Sequence, residues 1–230
     1  MSEVKIQSRF FINMSLLLLG LVILGFGANS FALGLSPSDM PWLFHIHGIT
    51  YLLWFILLVV QTRLIANSNR LLHKMLGLSS LVIIPMMVAT AFMMSGVSYD
   101  RGISPIPDMQ IQQFMALPML DIVAIILFYA IAFLNRHTPL THKHGMIVLS
   151  VVIMDPALTR LGIVLGFPPL GLILHLMLIG MVILHDRKTY QKIHWLSWLG
   201  LVYIIARPVF LMTVAGTEGW TNLIDGLFAS

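Results

Sequence analysis

The chain contains no cysteine and very little charge. Without cysteine it can form no disulfide, no thiolate metal site and no cysteine nucleophile, so a bound metal would need histidine, carboxylate or methionine ligands. Asp, Glu, Lys and Arg make up 10% of its 230 residues, against roughly 25% in soluble domains. The sequence also lacks the Gly-x-Ser-x-Gly, His-Glu-x-x-His and phosphate-binding glycine motifs of common hydrolases and nucleotide enzymes. The scarcity of charge rules out an ordinary water-soluble domain, and the missing motifs give nucleophilic catalysis little support.

Long apolar stretches account for most of the sequence. Apolar residues make up 58% of it, and a run of about 18 or more with few charges is long enough to cross a bilayer as a helix. Seven such runs leave no room for a soluble domain, so we expect one all-α domain over residues 1–230, a polytopic bundle of seven transmembrane helices. Kinks are predicted at the internal prolines Pro85, Pro118, Pro156 and Pro208. The predicted helices cover residues 10–33, 42–65, 75–96, 113–134, 145–166, 169–185 and 193–216.

The 13 lysines and arginines are concentrated on one side of the predicted bundle. Ten of them fall in the loops or helix ends of a single side, and cytoplasmic loops are enriched in Lys and Arg. This distribution predicts a cytoplasmic N-terminus and an external C-terminus in a bacterial inner membrane. Lipids, and not nucleic acid, are the expected partners of the +4 net charge. The ten residues are Lys5, Arg9, Arg63, Arg70, Lys74, Arg136, Lys143, Arg187, Lys188 and Lys192.

Seven ionisable residues lie inside the predicted helices, toward the predicted outer side. An ionisable group in hydrocarbon costs about 2.5–3.5 kcal/mol on insertion scales, so each of them is a functional candidate. They come from five helices, and their positions along those helices place them at similar depth. We therefore expect a polar site in the outer half of the bundle. The candidates are His45, His47, Asp121, Asp155, Arg160, His175 and Arg207.

Electron transfer through haem b is one use of these residues. His47 on the second helix and His175 on the sixth would be the axial ligands, and Arg160 and Arg207 would neutralise the haem propionates. A quinone or another small molecule would then be the redox partner. This haem-dependent or metal-dependent redox protein is the leading hypothesis from the sequence.

A non-haem metal is the second use. His45, His47 and His175, with a carboxylate from Asp121 or Asp155, supply enough ligands for a transition metal. His45 and His47 are two residues apart, so on a helix their side chains point about 200° apart. This spacing disfavours a compact site that uses both histidines.

A third hypothesis uses the charges themselves. Asp121, Asp155, Arg160 and Arg207 would pair with one another along a pathway for protons, anions or small acids, as in a proton-coupled permease. In a structural alternative the same ion pairs only fix how the helices pack. A further alternative is an accessory or assembly subunit of a larger membrane complex, and a homo-oligomer is also open. The sequence leaves these alternatives open.

One face of the second predicted helix is polar and aromatic. His47, Trp54 and Gln61 recur at intervals of seven residues and so share that face. Lipid would leave the Gln61 amide without hydrogen-bond partners. We therefore expect this face, and His47 with it, to point toward the other helices.

A second polar group lies at the predicted cytoplasmic ends of the helices. Its histidines stand at or shortly before helix starts, and we expect a second metal or haem site there or one end of a proton path. In the alternative interpretation these side chains bind lipid phosphate or cap helices. The candidates are His73, His142, His144, His194 and Gln61.

Short motifs are spread along the chain from the second helix onward. They are His47 to Trp54 and Gln61, LLHKMLG at 71–77, Asp121 and Phe128, HKHGM at 142–146, Pro156-Ala157 and Arg160, Asp186 to His194, Arg207-Pro208, Thr217 and Trp220. In this combination the chain resembles a family of uncharacterised seven-helix bacterial membrane proteins, a domain of unknown function whose name implies no activity. More distantly, its single histidines at helix ends are similar to those of cytochrome b561-type electron carriers. That resemblance implies haem chemistry, but a fold analogy alone assigns none.

Overall fold

The described part of the chain is helical. A computed structural model describes residues 3–34, 36, 38, 40–102, 104, 106 and 109–229, with side chains from residue 9 onward. Within these ranges there are eleven α-helices and no strands. They are α1 (Glu3–Ala32), α2 (Trp42–Ala66), α3 (Arg70–Gly77), α4 (Ser80–Asp100), α5 (Ile111–Phe114), α6 (Ala116–Leu134), α7 (Pro139–Val152), α8 (Asp155–Val164), α9 (Leu170–Tyr190), α10 (Trp195–Thr213) and α11 (Glu218–Phe228).

Seven helical stretches within the described residues are long and apolar enough to cross a membrane. This confirms the predicted number and the multi-pass build. The third, fourth and fifth stretches each consist of two consecutive helices, α3–α4, α5–α6 and α7–α8. They are span 1 (Arg9–Ala32), span 2 (Trp42–Ala66), span 3 (Arg70–Asp100), span 4 (Ile111–Leu134), span 5 (Pro139–Val164), span 6 (Leu170–Tyr190) and span 7 (Trp195–Thr213).

Three helices begin five or more residues before their predicted starts. The predicted starts of the first, third and fifth helices are residues 10, 75 and 145, but α1 begins at Glu3, α3 at Arg70 and α7 at Pro139. Polar residues lower the local hydropathy there, yet they do not interrupt the helical hydrogen bonds. A proline in the first turn of α7 also costs nothing, because that N–H has no partner within the helix.

Span 5 is interrupted at Ile153 and Met154. The helix α7 ends at Val152 and α8 begins at Asp155, followed directly by Pro156. Proline lacks the N–H that a continuous helix would need here, so the break agrees with the predicted kink. It places Asp155 at the first position of a new helix.

Span 5 is also the centre of the bundle. Its two helices contact α1, α6, α9 and α10, and consecutive side chains of α7 are buried. Small residues allow the close approach: a β-carbon on Gly145 would lie 2.6 Å from the β-carbon of Ala132. Interfaces rich in small residues are typical of packed membrane helices. Polar groups on span 5 therefore lie inside the protein.

The helices alternate in direction, which gives the bundle two distinct ends. The end that carries Arg9, Arg63, Arg70, Arg136 and Arg187 is called the basic end here, and the opposite end is called the α11 end. The helix α11 lies beyond the predicted helices and packs on α4 and α5. Asp225 of α11 accepts hydrogen bonds from the Tyr99 hydroxyl at 2.7 Å and the Gln112 amide at 3.1 Å. These bonds fasten α11 over the ends of spans 3 and 4.

Candidate functional site

Two aspartates share one arginine inside the α11 half of the bundle. Arg207 of α10 donates from Nη2 to Asp121 Oδ2 at 3.0 Å, and its Nη1 pairs with Asp155 Oδ2. The arginine side chain is only 5% exposed, and those of Asp121 and Asp155 are 13% and 22% exposed. Spans 4, 5 and 7 are thus joined by charge. These residues and His175 are called the Arg207 cluster below.

His175 of α9 completes the cluster and is buried. Its Nε2 lies 2.9 Å from the Val151 carbonyl oxygen, and its Nδ1 lies 3.9 Å from Asp155 Oδ1. A carbonyl oxygen can only accept, so Nε2 carries a hydrogen. In neutral His175 the lone pair is then on Nδ1, toward the carboxylate. A proton on Nδ1 would turn this approach into an ion pair.

The charges of the cluster do not balance when His175 is neutral. Two carboxylates and one guanidinium leave one net negative charge, in a site that lipid-facing helices surround. Arg160 interacts electrostatically with Asp155 but belongs to none of the ion pairs among the described residues. Its Nη1 donates to the Pro156 carbonyl at 2.8 Å, and its guanidinium lies 4.7 Å from the centre of the Phe26 ring. The predicted pairing therefore forms through Arg207 and not through Arg160.

A cavity of about 240 Å³ lies beside the cluster. Spans 1 to 5 all contribute to its walls, which are mainly apolar and aromatic. Asp121 belongs to both features: Oδ2 contacts Arg207, while Oδ1 is buried without a hydrogen-bond partner among the described residues. The aromatic lining residues are Phe26, Tyr51, Phe55 and Phe114, and the polar ones are His47, Ser95, Ser98 and Asp121.

His47 lines this cavity, and its hydrogen bonding defines which ring nitrogen is free. The Nδ1 atom lies 3.3 Å from Thr90 Oγ1, and that hydroxyl donates its own hydrogen to the Met86 carbonyl at 2.8 Å. Nδ1 is therefore the donor, and Nε2 of neutral His47 is an acceptor. His45 is exposed, so the two histidines diverge as their spacing predicts.

The residues present do not fit haem b held between His47 and His175. His175 is not among the residues that line the cavity, and its Nε2 is bonded to a backbone carbonyl. Among the described residues no group of three or more His, Asp or Glu side chains is arranged to hold a metal ion. The ligand set of His45, His47, His175, Asp121 and Asp155 is thus not assembled. Haem and metal binding stay predictions of the sequence.

At the basic end, His144 and Asp186 form a fully buried pair. His144 Nδ1 lies 2.8 Å from the Leu140 carbonyl and Nε2 lies 2.5 Å from Asp186 Oδ1. Both partners accept, so with Asp186 ionised the ring carries two hydrogens and one positive charge. The second carboxylate oxygen accepts from Ser197 Oγ at 2.6 Å and from the backbone N–H of His194 at 3.0 Å. Spans 5, 6 and 7 are thereby joined with every polar atom of the pair satisfied.

His194 stacks on this pair and caps a helix. Its ring lies parallel to that of His144 at 4.4 Å between centres, and its Nδ1 accepts from the Leu196 N–H at 3.2 Å. Burial, and then the positive charge of His144, lowers the pKa of His194 below its usual value. The predicted capping role thus describes His194 better than metal ligation does.

The other predicted residues of the basic end form a separate group. The His73 and His142 rings meet edge to face at 6.3 Å, and His142 Nδ1 donates to the Ala132 carbonyl at 2.9 Å. Both side-chain polar atoms of Gln61 and Nδ1 of His73 are buried and lack partners among the described residues. Gln61 does face the other helices, as its place on the His47 face predicts.

Asp186 is the main residue that the sequence interpretation missed. It stands beside Arg187 and Lys188 near a helix end, where a carboxylate is ordinarily exposed. Its sequence separation from His175 was a usable signal. The two residues are eleven positions apart, about three helical turns, so Asp186 lies on the same helix face as a residue predicted to point inward. Thr90 and Ser197 carried no comparable signal.

Comparison of the chain with protein-family models, with curated proteins and with solved structures gives no match. The fold and the site together define a class of protein: a multi-pass helical membrane protein with a buried charge cluster beside a small cavity.

Proposed function

We propose that this chain is a small proton-coupled membrane transporter, in which Asp121 links proton binding to occupation of the cavity. One observation carries this proposal. The Asp121 side chain lines the cavity, one of its carboxylate oxygens contacts Arg207, and the other is buried without a hydrogen-bond partner among the described residues. Any change of charge on Asp121 therefore acts on the cluster and on the cavity together.

The charge count explains why a proton would be exchanged here. With Asp121 protonated, Arg207 and Asp155 remain as a one-to-one pair and the cluster is neutral. Without that proton, and with His175 neutral, the cluster carries one negative charge, which is costly inside a membrane unless a second group neutralises it. A solute that alters the environment of the Asp121 carboxylate thus alters the affinity for the proton, which is the thermodynamic basis of coupling.

The break in span 5 supports the same function. Ile153, in the break, and Pro156 and Ala157, just after it, line the cavity. Interrupted helices within a membrane occur where the backbone lines a cavity, and in transporters they mark the binding site. The interruption gives the central helix a point about which its two halves can change their angle.

Proton movement in proteoliposomes tests the proposal. Vesicles containing a trapped pH-sensitive dye receive benzylguanidinium, benzylurea or benzenesulfonate, which are cationic, neutral and anionic solutes of similar size. We expect at least one of them to change the internal pH in the wild-type protein and none to do so in Asp121→Asn. Asp100→Asn is the matched control, because Asp100 is an exposed aspartate at the same end of the bundle. Equal responses in Asp121→Asn and wild type, or no response to any solute, would contradict the proposal.

A further inference from the structure

We infer that the cavity binds a small organic cation, an amine or guanidine with an aromatic or apolar substituent. This inference rests on the proposed function and names its substrate class. It follows from the hydrogen-bonding inventory, the wall chemistry, the charge and the size of the cavity.

The polar atoms that line the cavity are predominantly acceptors. Ser95 and Ser98 donate their hydroxyl hydrogens to carbonyls one turn back in α4, at 2.8 and 2.9 Å, and so keep only lone pairs for a ligand. His47 uses its Nδ1 hydrogen on Thr90, which leaves Nε2 as an acceptor. Asp121, whose side chain also lines the cavity, adds a carboxylate. Apart from the Tyr51 hydroxyl, which can donate or accept, this set calls for a ligand with N–H donors.

The aromatic lining suits a cation. Rings from Tyr51, Phe55 and Phe114 come from spans 2 and 4, and the face of an aromatic ring attracts an ammonium or guanidinium group. The fourth ring, Phe26 of span 1, already lies against the Arg160 guanidinium. A metal ion is less well matched, because magnesium and calcium need about six or more oxygen ligands and the walls are mostly carbon.

The charge of the Arg207 cluster points the same way. With His175 neutral, ionised Asp121 gives the Arg207 cluster one net negative charge, and a bound cation neutralises it. An anionic ligand would instead face the Asp121 carboxylate among acceptor atoms. The charge of Arg160 acts on Asp155 and His47, but its guanidinium is held by the Pro156 carbonyl and the Phe26 ring and Arg160 is not among the lining residues.

The volume limits the ligand. At about 30 Å³ per water molecule, 240 Å³ corresponds to roughly eight waters, so a ligand of about a dozen non-hydrogen atoms fills the cavity. Benzylguanidinium has this size, has N–H donors and is permanently charged near neutral pH. Benzylurea has the same shape without the charge.

Cation and proton compete for the negative charge of Asp121. The Asp121 carboxylate interacts with either a proton or a bound cation, and with His175 neutral the cluster is neutral in both states. One cation is therefore exchanged for one proton, with no redox or covalent step. In this exchange cation entry on one side of the membrane accompanies proton exit to that side.

Binding to the purified protein in an uncharged detergent, measured by calorimetry, tests the inference. We expect benzylguanidinium to bind at least tenfold more tightly than benzylurea, and benzenesulfonate not to bind. In Asp121→Asn we expect the preference for the cation over benzylurea to disappear, while Asp100→Asn retains it. Benzylurea binding as tightly as benzylguanidinium, or no binding of the cation, would overturn the inference. The probe comparison needs no variant, so it holds even if Asp121→Asn does not fold.

The failures of this inference and of the proposed function are distinguishable. Proton movement that only benzylurea or benzenesulfonate drives would overturn the cation as substrate and leave proton coupling in place. Selective binding of benzylguanidinium without any proton movement in vesicles would support the site and contradict transport.

Discussion

Replacing Arg207 by methionine removes the cation that two buried carboxylates share. The three side chains are between 5% and 22% exposed, so solvent screens the remaining charges poorly. Removing one partner of a buried ion pair typically costs about 3–5 kcal/mol, and we expect Arg207→Met to lower the free energy of unfolding by about that amount. The measurement is reversible unfolding by sodium dodecyl sulfate in lipid bicelles, followed by circular dichroism.

The control for this prediction is the same substitution in an Asp121→Asn, Asp155→Asn background. Uncharged amides no longer need the guanidinium, so the cost of losing Arg207 should fall by about 2 kcal/mol, within the range of roughly 0.5–3 kcal/mol found for residues in contact. Arg160→Met should cost less than Arg207→Met in the wild-type background, because Arg160 forms no ion pair among the described residues. An equal cost of Arg207→Met in both backgrounds would refute the idea that charge joins spans 4, 5 and 7.

Two further predictions concern packing and pH. Gly145→Ala should destabilise the bundle by about 1–3 kcal/mol, because the added β-carbon would lie 2.6 Å from a side chain of α6. Gly180→Ala should be neutral or stabilising, because no atom lies within 4 Å of its added β-carbon. Equal unfolding free energies of the two variants would contradict this packing. The lowered pKa of His194 means that the unfolded chain binds more protons below pH 6.5, so stability should fall as the pH drops from 7.5 to 5.5. His194→Asn keeps a capping side chain without titrating, and its melting temperature should depend less on pH; an unchanged pH dependence would contradict this role.

The seven spans could be predicted because the requirement behind them is local. A bilayer demands about twenty apolar residues in sequence, and each run supplies them independently of the others. The early starts at Arg70 and Pro139 could not be read from the same signal, since polar residues continue those helices beyond the apolar stretch.

The candidate site was predictable only as a list of residues. The free-energy cost of a charged side chain in hydrocarbon singles out Asp121, Asp155 and Arg207, because charges within a membrane must face the protein interior. Their pairing depends on how three helices are rotated against one another, which no local pattern encodes. For the same reason Arg160, equally prominent in the sequence, proved to bind a carbonyl and an aromatic ring.

The histidines differ most from their predicted roles. His175 was predicted as a haem or metal ligand, but its Nε2 donates to a carbonyl and its Nδ1 lies toward Asp155. His144 was a candidate for a second metal site and instead forms a buried ion pair with Asp186. Histidine in a membrane helix signals a polar role, and its partners decide which one.

The most direct test of the account is the pH inside proteoliposomes when benzylguanidinium is added outside, with the interior initially more acidic. Exchange of the cation for a proton predicts a rise of the internal pH in the wild-type protein and in Asp100→Asn, and no rise in Asp121→Asn. A rise of the same rate in Asp121→Asn would contradict the central role of that carboxylate.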